Sequence, residues 1–198
     1  GLPRSEKMAA VPVRRFSYVW PRRWQRLAYG GGIPTNLQGS WLARLSVPFF
    51  LLAFVWGARR SCRRAQIVHC HWSPVGWIGL GAAGGRPVVL SVRGSDINWL
   101  EKGLLAPFIR AVYRRVSAVV AVSQAIADKL IGLGVDPQKV QVVPNGVDPR
   151  FAPTEKQEPR RNLGLESEAF ILLFVGLLVP VKGLDVLLDA LALVGSGN

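Results

Sequence analysis

Short apolar runs alternate with helix-length segments along the middle of the chain, and this alternation limits the fold more than any other feature. Runs of strand length, bounded by turn residues, lie at residues 66–70, 87–92, 118–122 and 140–143. A helix is predicted over 104–116, and Ser123 is placed to cap another that ends at Gly134. Strands this apolar are covered on both faces, so the pattern predicts an α/β fold with a parallel sheet.

Polar residues follow these predicted strands where each one ends. The residues concerned are His71, Arg93, Ser95, Asp96 and Asn145. Because the carboxyl ends of parallel strands meet at one edge of a sheet, where ligands of α/β proteins bind, we expect these side chains at a functional edge. A helix cap or turn stays open as the alternative for Asp96, and a structural core histidine as the alternative for His71.

The chain is predicted to contain two units. Residues 1–148 form the first, and residues 149–168, which are polar and contain three prolines, are predicted to be a linker. The second unit covers residues 169–198.

The second unit begins with a pattern suited to phosphate. A buried strand is predicted over 170–175, a loop from Gly176, and a helix over 184–194 that Lys182 precedes. Free N–H groups at a helix N-terminus attract anions, and a lysine adds a point charge. Gly176 and Lys182 are therefore candidate phosphate-binding residues, with a solvated lysine as the alternative.

The positive charge of the chain is concentrated at its N-terminal end. The chain has 25 Lys and Arg against 12 Asp and Glu, a formal net charge of +13. Residues 1–64 alone hold twelve basic residues and one acid, a net charge of +11. Such a local cluster, interleaved with Trp and Tyr, favours an anionic membrane surface over nucleic acid, for which no recognition motif is present. A solvated basic face stays open.

Cysteine usage and hydropathy bear on the compartment. Cys62 and Cys70 lack metal-ligand spacing, which predicts a reducing compartment and no metal. The apolar run at 47–56 is well short of the roughly 20 residues of a spanning helix. We therefore expect a cytoplasmic protein, peripheral at the inner membrane face. The opening on Gly1 and the end after an apolar helix lead us to expect a fragment.

Several stretches resemble the retaining family-4 glycosyltransferases, which have the GT-B fold. Residues 118–148, AVVAVSQAIADKLIGLGVDPQKVQVVPNGVD, are similar to the end of the family's N-terminal domain. Residues 174–190, FVGLLVPVKGLDVLLDA, are similar to the start of its C-terminal, nucleotide-sugar-binding domain. Residues 27–37, 69–72 and 93–96 are similar to family stretches too. The resemblance implies a Rossmann-like acceptor-side domain lacking its first strand, and the first strand–loop–helix of a second, truncated Rossmann-like domain.

The resemblance also implies a reaction. The family transfers a sugar, with retention at the anomeric carbon, from a nucleotide diphosphate sugar, usually without a metal or cofactor. The implied roles are catalytic for Arg93 and Asp96, donor phosphate binding for Gly176 and Lys182, and acceptor binding for His71, Ser95 and Asn145. The expected partners are the nucleotide sugar and a lipid-linked or saccharide acceptor, as in polysaccharide biosynthesis.

The chain departs from the family pattern at two positions. Leu177 stands where the family commonly has an Arg that binds the diphosphate. Without this charge-assisted contact, the transition state loses about 2–4 kcal/mol of stabilisation, which is about 10²–10³-fold in rate. Arg93 stands where many members have His, and Arg cannot act as a neutral base. Because most of the family's donor domain would lie after residue 198, the isolated chain is expected to be inactive. A non-catalytic, truncated membrane-surface binding protein that has lost its donor site stays open as the alternative.

Overall fold

The protein is described by a computed structural model over residues 3–29, 32–101 and 105–195. The chain divides into two compact units, Gly1–Gly146 and Val147–Asn198. The first unit contains, in chain order, β1 (Ser5–Met8), β2 (Val11–Arg14), α1 (Gly32–Gly39), α2 (Trp41–Cys62), β3 (Val68–His71), α3 (Val75–Ala83), β4 (Val88–Val92), α4 (Gly94–Glu101), α5 (Ala106–Arg115), β5 (Ala118–Ala121), α6 (Gln124–Gly132) and β6 (Val140–Val142).

The centre of the first unit is a parallel sheet in the order β3-β4-β5-β6. Helix α3 connects β3 to β4, α4 and α5 connect β4 to β5, and α6 connects β5 to β6. All three strand pairs are parallel. The predicted α/β fold is confirmed, and the observed strands begin and end within two residues of the predicted bounds.

The sheet and its helices enclose one apolar core. Leu90 of β4 and Val119 of β5 are fully buried, as are Val112 of α5 and Leu130 of α6. Burial of each such side chain stabilises the fold by about 1.5–3 kcal/mol. Ser123 caps α6 as predicted, because its Oγ accepts a hydrogen bond from the Ile126 N–H at 3.4 Å.

Helix α3 occupies the glycine-rich stretch after Trp72, where the glycines by themselves favour a turn. Its glycines lower helix propensity, but they allow the helix to lie close to the core. A Cβ on Gly79 would come 2.2 Å from Cys70 Sγ, and one on Gly76 would come 2.4 Å from a Val112 methyl. The glycines thus serve packing, and a glycine-rich stretch that predicts a turn forms a helix here.

Helix α2 contains the apolar run at 47–56 and extends beyond it at both ends. Ser40 caps its start, with Ser40 Oγ accepting from the Ala43 N–H at 3.3 Å, and the helix spans 22 residues. The most apolar 18 residues of this helix have a mean hydropathy of 1.6. By length and composition the helix could cross a membrane, which corrects the expectation that this stretch is too short. The difference arises because Arg44 is the one charged residue between Trp41 and Ala58, so helix and hydropathy both continue beyond the run.

The second unit contains α7 (Gln157–Asn162) and α8 (Leu184–Gly195), with a short 3₁₀ turn at Pro180–Lys182. Helix α7 lies within the predicted linker, which is therefore not wholly irregular. The prediction of a buried strand at 170–175 is wrong, because this segment is neither buried nor paired with another strand in the described part of the chain. Phe170 is 92% exposed, and no strand pairs with this segment among the described residues. A strand backbone needs a neighbouring strand for its hydrogen bonds, and the described part of this unit supplies none.

Candidate strand-edge and phosphate-loop sites

The carboxyl ends of β3 and β4 lie side by side and form the strand-edge site. His71, the last residue of β3, is in register with Ser91 of β4. The Trp72 N–H donates to the Ser91 carbonyl at 3.2 Å, which continues the pairing past the strand end. The loop after β3 and the Arg93–Asp96 stretch after β4 are thereby brought together, as the sequence predicted.

Asp96 is the centre of a buried hydrogen-bond network at this edge. Its side chain is 1% exposed, and Oδ1 accepts from the Ser73 N–H at 2.5 Å and from Ser73 Oγ at 2.8 Å. Oδ2 accepts from the Arg93 N–H at 2.8 Å, which is the reach-back half of a capping box at the start of α4. The carboxylate thus fastens the loop after β3 to the loop after β4.

Tyr113 completes the network from α5. Its hydroxyl lies 2.7 Å from Ser73 Oγ, and the residue is 3% exposed. Burial raises the pKa of the Tyr113 hydroxyl, the nearby Asp96 charge raises it further, and the hydrogen bond with Ser73 opposes both. Tyr113 therefore stays neutral and available for hydrogen bonding.

Ser73 and Tyr113 are the site residues that sequence reasoning missed. Ser73 precedes Pro74 and the start of α3, and a serine before a helix is a capping signal that could have directed attention to it. Tyr113 follows the apolar spacing of Ala106, Ile109 and Val112, which predicts only a core position. Nothing in that spacing indicates a hydroxyl partner.

Trp72 adopts an unusual backbone conformation between β3 and this network. Its φ is +80°, in the left-handed region that a bulky residue rarely occupies. The turn directs the next N–H, that of Ser73, to the Asp96 carboxylate. Conformational strain of this kind persists where surrounding bonds hold it, and here the Asp96 network supplies them.

Two histidines lie next to each other on the exposed face of β3. The His69 and His71 ring centres are 4.5 Å apart, and His69 Nε2 lies 2.7 Å from Ser91 Oγ. Partial desolvation lowers the pKa of His69, and the neighbouring His71 lowers it further. Both side chains are exposed, so the core role that stayed open for His71 is wrong.

The remaining predicted residues of this edge are open to solvent. Arg93 and Ser95 are exposed beside the buried Asp96. Asn145 is exposed too and follows β6, which lies two strands from β4 in the sheet. An exposed guanidinium next to an exposed hydroxyl suits a ligand that carries an anionic group and hydroxyls.

The second unit contains the phosphate-loop site. Lys182 Cγ lies 4.0 Å from the position that a Cβ on Gly176 would occupy, so the loop brings the two predicted residues together. Gly183 has a φ of +65°, a conformation that favours glycine, and it directly precedes α8. Lys182 is exposed, and the Leu177 side chain is 72% exposed where a second cation would serve a diphosphate.

In the described part of the chain, no group of three or more His, Cys, Asp or Glu side chains could hold a metal ion. Cys70 is buried and Cys62 half-buried, and burial raises the pKa of the Cys70 thiol. The expectation of metal-free chemistry stays a prediction.

Comparison with known proteins identifies relatives of this chain. The chain is 34% identical over 172 residues to a D-inositol 3-phosphate glycosyltransferase of Actinosynnema mirum, covering 77% of this chain and 41% of that protein. It is 43% identical over 172 residues to D-inositol 3-phosphate glycosyltransferase 2 of Catenulispora acidiphila, covering 76% and 40%. It is also 33% identical over 170 residues to a D-inositol 3-phosphate glycosyltransferase of Segniliparus rotundus, covering 76% of this chain and 38% of that protein.

The chain spans about two fifths of the length of these relatives. Residues 12–151, which include the whole parallel sheet and the strand-edge site, match Glycosyltransferase Family 4. The Rossmann-like sheet agrees with the GT-B fold implied by the sequence resemblance. The chain therefore belongs to Glycosyltransferase Family 4.

Proposed function

We propose that the protein takes part in transfer of a sugar, with retention, from a nucleotide diphosphate sugar to a phosphorylated acceptor. The observation that carries the proposal is the strand-edge site, where exposed Arg93 and Ser95 surround the buried Asp96 network. Arg93 is free to contact a ligand, while the hydrogen bond from its N–H to the buried Asp96 holds its loop in place. A cation held in this way suits recognition of a substrate with fixed geometry. The donor phosphates would bind at Gly176, Lys182 and the N–H groups that begin α8.

The geometry supports different roles for the two residues expected to be catalytic. Arg93 is exposed, so its guanidinium can contact a phosphate or sugar hydroxyl directly. The Asp96 carboxylate is buried and accepts three hydrogen bonds, which leaves it poorly placed to accept a proton from a substrate. We therefore assign Asp96 a positioning role, in which it orients the loop that carries Arg93 and Ser95.

The acceptor would contact His71, Ser95 and Asn145. The relatives are named for D-inositol 3-phosphate, which carries a phosphate and several hydroxyls. Lipid-linked saccharide acceptors also carry phosphate, and that shared group is the one Arg93 is suited to bind. The basic segment 1–64 would keep the protein at the anionic inner face of the membrane, in the cytoplasm.

Leu177 favours a second candidate function. An exposed leucine at the diphosphate loop supplies no charge-assisted hydrogen bond. A protein that binds acceptor and membrane but does not turn over a donor would tolerate this residue. In that case a nucleotide diphosphate would bind no more tightly to the native protein than to its Lys182→Ala variant.

Replacement of Lys182 tests the transferase proposal. In the protein as its gene encodes it, Lys182→Ala is expected to reduce turnover of a nucleotide diphosphate sugar by about tenfold or more, since a charge-assisted contact to the leaving diphosphate is lost. Lys156→Ala, an exposed lysine of the same unit, is the matched control and should leave turnover unchanged. Equal turnover in all three proteins would overturn the phosphate-binding assignment, and no turnover in any would favour the binding-protein alternative.

A further inference from the structure

Helix α2 carries an apolar stripe on its solvent-facing side. The stripe consists of five large side chains with exposures of 59–71%: Trp41, Leu45, Phe49, Leu52 and Trp56. At 100° per residue they fall within an arc of about 80° over residues 41–56 of the helix. Monomeric soluble proteins rarely expose so continuous an apolar surface, and such a surface marks an interaction site.

The opposite side of α2 is packed against the first unit, and this fixes the direction in which the stripe faces. Ala43 and Ser46 are buried. The ring of Phe16 lies 5.5 Å from that of Phe50 and 4.7 Å from that of Phe54, centre to centre. A helix held along one side by the rest of the domain cannot be surrounded by lipid, so it suits contact with a membrane surface better than a crossing.

Positive charge lies at the C-terminal end of the stripe. Arg59 and Arg63 continue the same arc of the helix, and the Arg60 guanidinium lies 5.6 Å from the centre of the Trp56 ring. Two pockets adjoin Trp56. One, of about 480 Å³, is lined by Arg4, Arg14, Arg15 and Arg60 among others, and one of about 440 Å³ is lined by Arg59, Arg60, Arg63 and Arg86 among others.

This charge is not neutralised within the N-terminal half of the chain. Glu6 is the one acid before Asp96 in the sequence, and it pairs with Arg15. A helix C-terminus favours cations, but that effect accounts neither for the arginines of the β1–β2 region nor for the apolar stripe. Apolar side chains bordered by arginines, with a tryptophan near each end, have the complementary chemistry of an anionic lipid surface.

We propose that α2 is an in-plane membrane anchor, whose apolar stripe enters the lipid headgroup–acyl boundary while the arginines around Trp56 bind lipid phosphates. The proposal rests on the membrane location included in the proposed function, and it identifies the element and the lipid class responsible. Binding would hold the strand-edge site at a fixed distance from the bilayer, within reach of a lipid-linked acceptor.

Vesicle co-sedimentation of the full chain tests the anchor. The probes are vesicles of phosphatidylcholine alone and vesicles in which about one third is phosphatidylglycerol. Binding is expected to the anionic vesicles and to weaken with added salt. Phe49→Gln should lower the partition coefficient by about tenfold, because burial of a Phe side chain in lipid raises the partition coefficient by a factor of this order. Phe108→Gln is the matched control, since Phe108 is 60% exposed on α5 and Phe49 is 59% exposed on α2.

Two further variants separate this proposal from the proposed function and from misfolding. Arg59→Ser combined with Arg63→Ser should remove the preference for anionic vesicles while leaving the unfolding free energy unchanged. Lys182→Ala should bind vesicles like the native protein, whatever its turnover. Equal vesicle binding by Phe49→Gln and Phe108→Gln, or absence of binding to anionic vesicles, would overturn the anchor. A dimer that Phe49→Gln dissociates would also overturn it, by assigning the stripe to a second copy of the chain.

Depth measurements distinguish the in-plane orientation from a crossing. An environment-sensitive fluorophore on Leu45→Cys or Leu52→Cys, in a Cys62→Ser background, reports depth by quenching with labelled lipids. Cys70 is 5% exposed and its pKa is raised by burial, so it does not compete for the label. The anchor predicts equal, shallow depths at both positions. A deep Leu52 position and a shallow Leu45 position would overturn it in favour of a spanning helix.

Discussion

At the strand-edge site of the first unit, the Asp96 carboxylate is 1% exposed and accepts three hydrogen bonds from two loops. At the phosphate-loop site of the second unit, Lys182 is exposed and follows a segment whose apolar side chains also face solvent. The strand-edge site is held in its geometry by the core beneath it. The phosphate-loop site depends on charge and on the conformation of Gly183. Substitutions in the buried Asp96 network of the first site should therefore act mainly on stability, and those at the second site mainly on ligand binding.

Removal of the Asp96 carboxylate is expected to have the largest effect. Asp96→Ala leaves the Ser73 N–H, the Ser73 hydroxyl and the Arg93 N–H without their buried acceptor, at a cost of about 3 kcal/mol in the free energy of unfolding. Urea unfolding followed by circular dichroism measures the change. Asp128→Ala, at an exposed carboxylate on α6, is the control and should change stability by less than about 0.5 kcal/mol. Equal losses in the two variants would remove the distinction between the sites.

An arginine added at the phosphate loop should change ligand affinity and leave stability unchanged. In the protein as its gene encodes it, Leu177→Arg is expected to raise affinity for a nucleoside diphosphate by about tenfold, through a charge-assisted hydrogen bond, while the unfolding free energy stays unchanged. Leu178→Arg adds the same charge at a neighbour that is 79% exposed. Titration calorimetry compares them. An equal gain at both positions would show a general charge effect and contradict a specific clamp at residue 177.

Tyr113 provides a smaller test of the buried network. Tyr113→Phe removes one hydrogen bond but leaves Ser73 Oγ bonded to Asp96, so a loss of about 1 kcal/mol in unfolding free energy is expected. Tyr29→Phe, at a tyrosine that is 56% exposed, serves as the control. A Tyr113 variant as stable as the native chain would mean that the α5 hydroxyl does not contribute to the network.

The histidine pair on β3 should give a modest dependence of stability on pH. The pKa of His69 is lowered in the folded chain, so the unfolded chain takes up this proton first as the pH falls through the ordinary value of 6.5. Stability is therefore expected to be lower at pH values below 6.5 than above it, and His69→Gln should reduce that slope. Chemical unfolding at several pH values measures it. A slope of the same size in the variant would contradict this origin.

The sheet was predictable because burial on both faces of a parallel strand produces continuous apolar runs. The runs containing Leu90 and Val119 are short and continuously apolar, which indicates buried parallel strands, and both residues are fully buried. Helix α3 was not predictable in this way, since Gly76 and Gly79 indicate a turn until their contacts with Val112 and Cys70 are known. The apolar run at 47–56 underestimates the length of α2, because the helix begins before that run and continues past it to Cys62.

The site was predictable in position more than in role. Strand ends identified Arg93 and Asp96, but only the folded chain shows one exposed and the other buried. The partner across the network, Tyr113, lies 40 residues from Ser73 in sequence, a distance that local spacing cannot bridge. The expected strand at 170–175 shows the opposite limit: its apolar sequence favours a strand, but the described part of the second unit offers no partner strand.

The anomeric configuration of the product is the most direct test of the proposed retaining sugar transfer. The protein as its gene encodes it would be incubated with nucleotide diphosphate sugars labelled with ¹³C at the anomeric carbon, together with D-inositol 3-phosphate or a lipid-linked saccharide, and followed by NMR. Retaining transfer predicts a new glycosidic signal with the same anomeric configuration as the donor, and this signal should be strongly diminished in Lys182→Ala. A product of inverted configuration, or an unchanged donor with every acceptor, would contradict it.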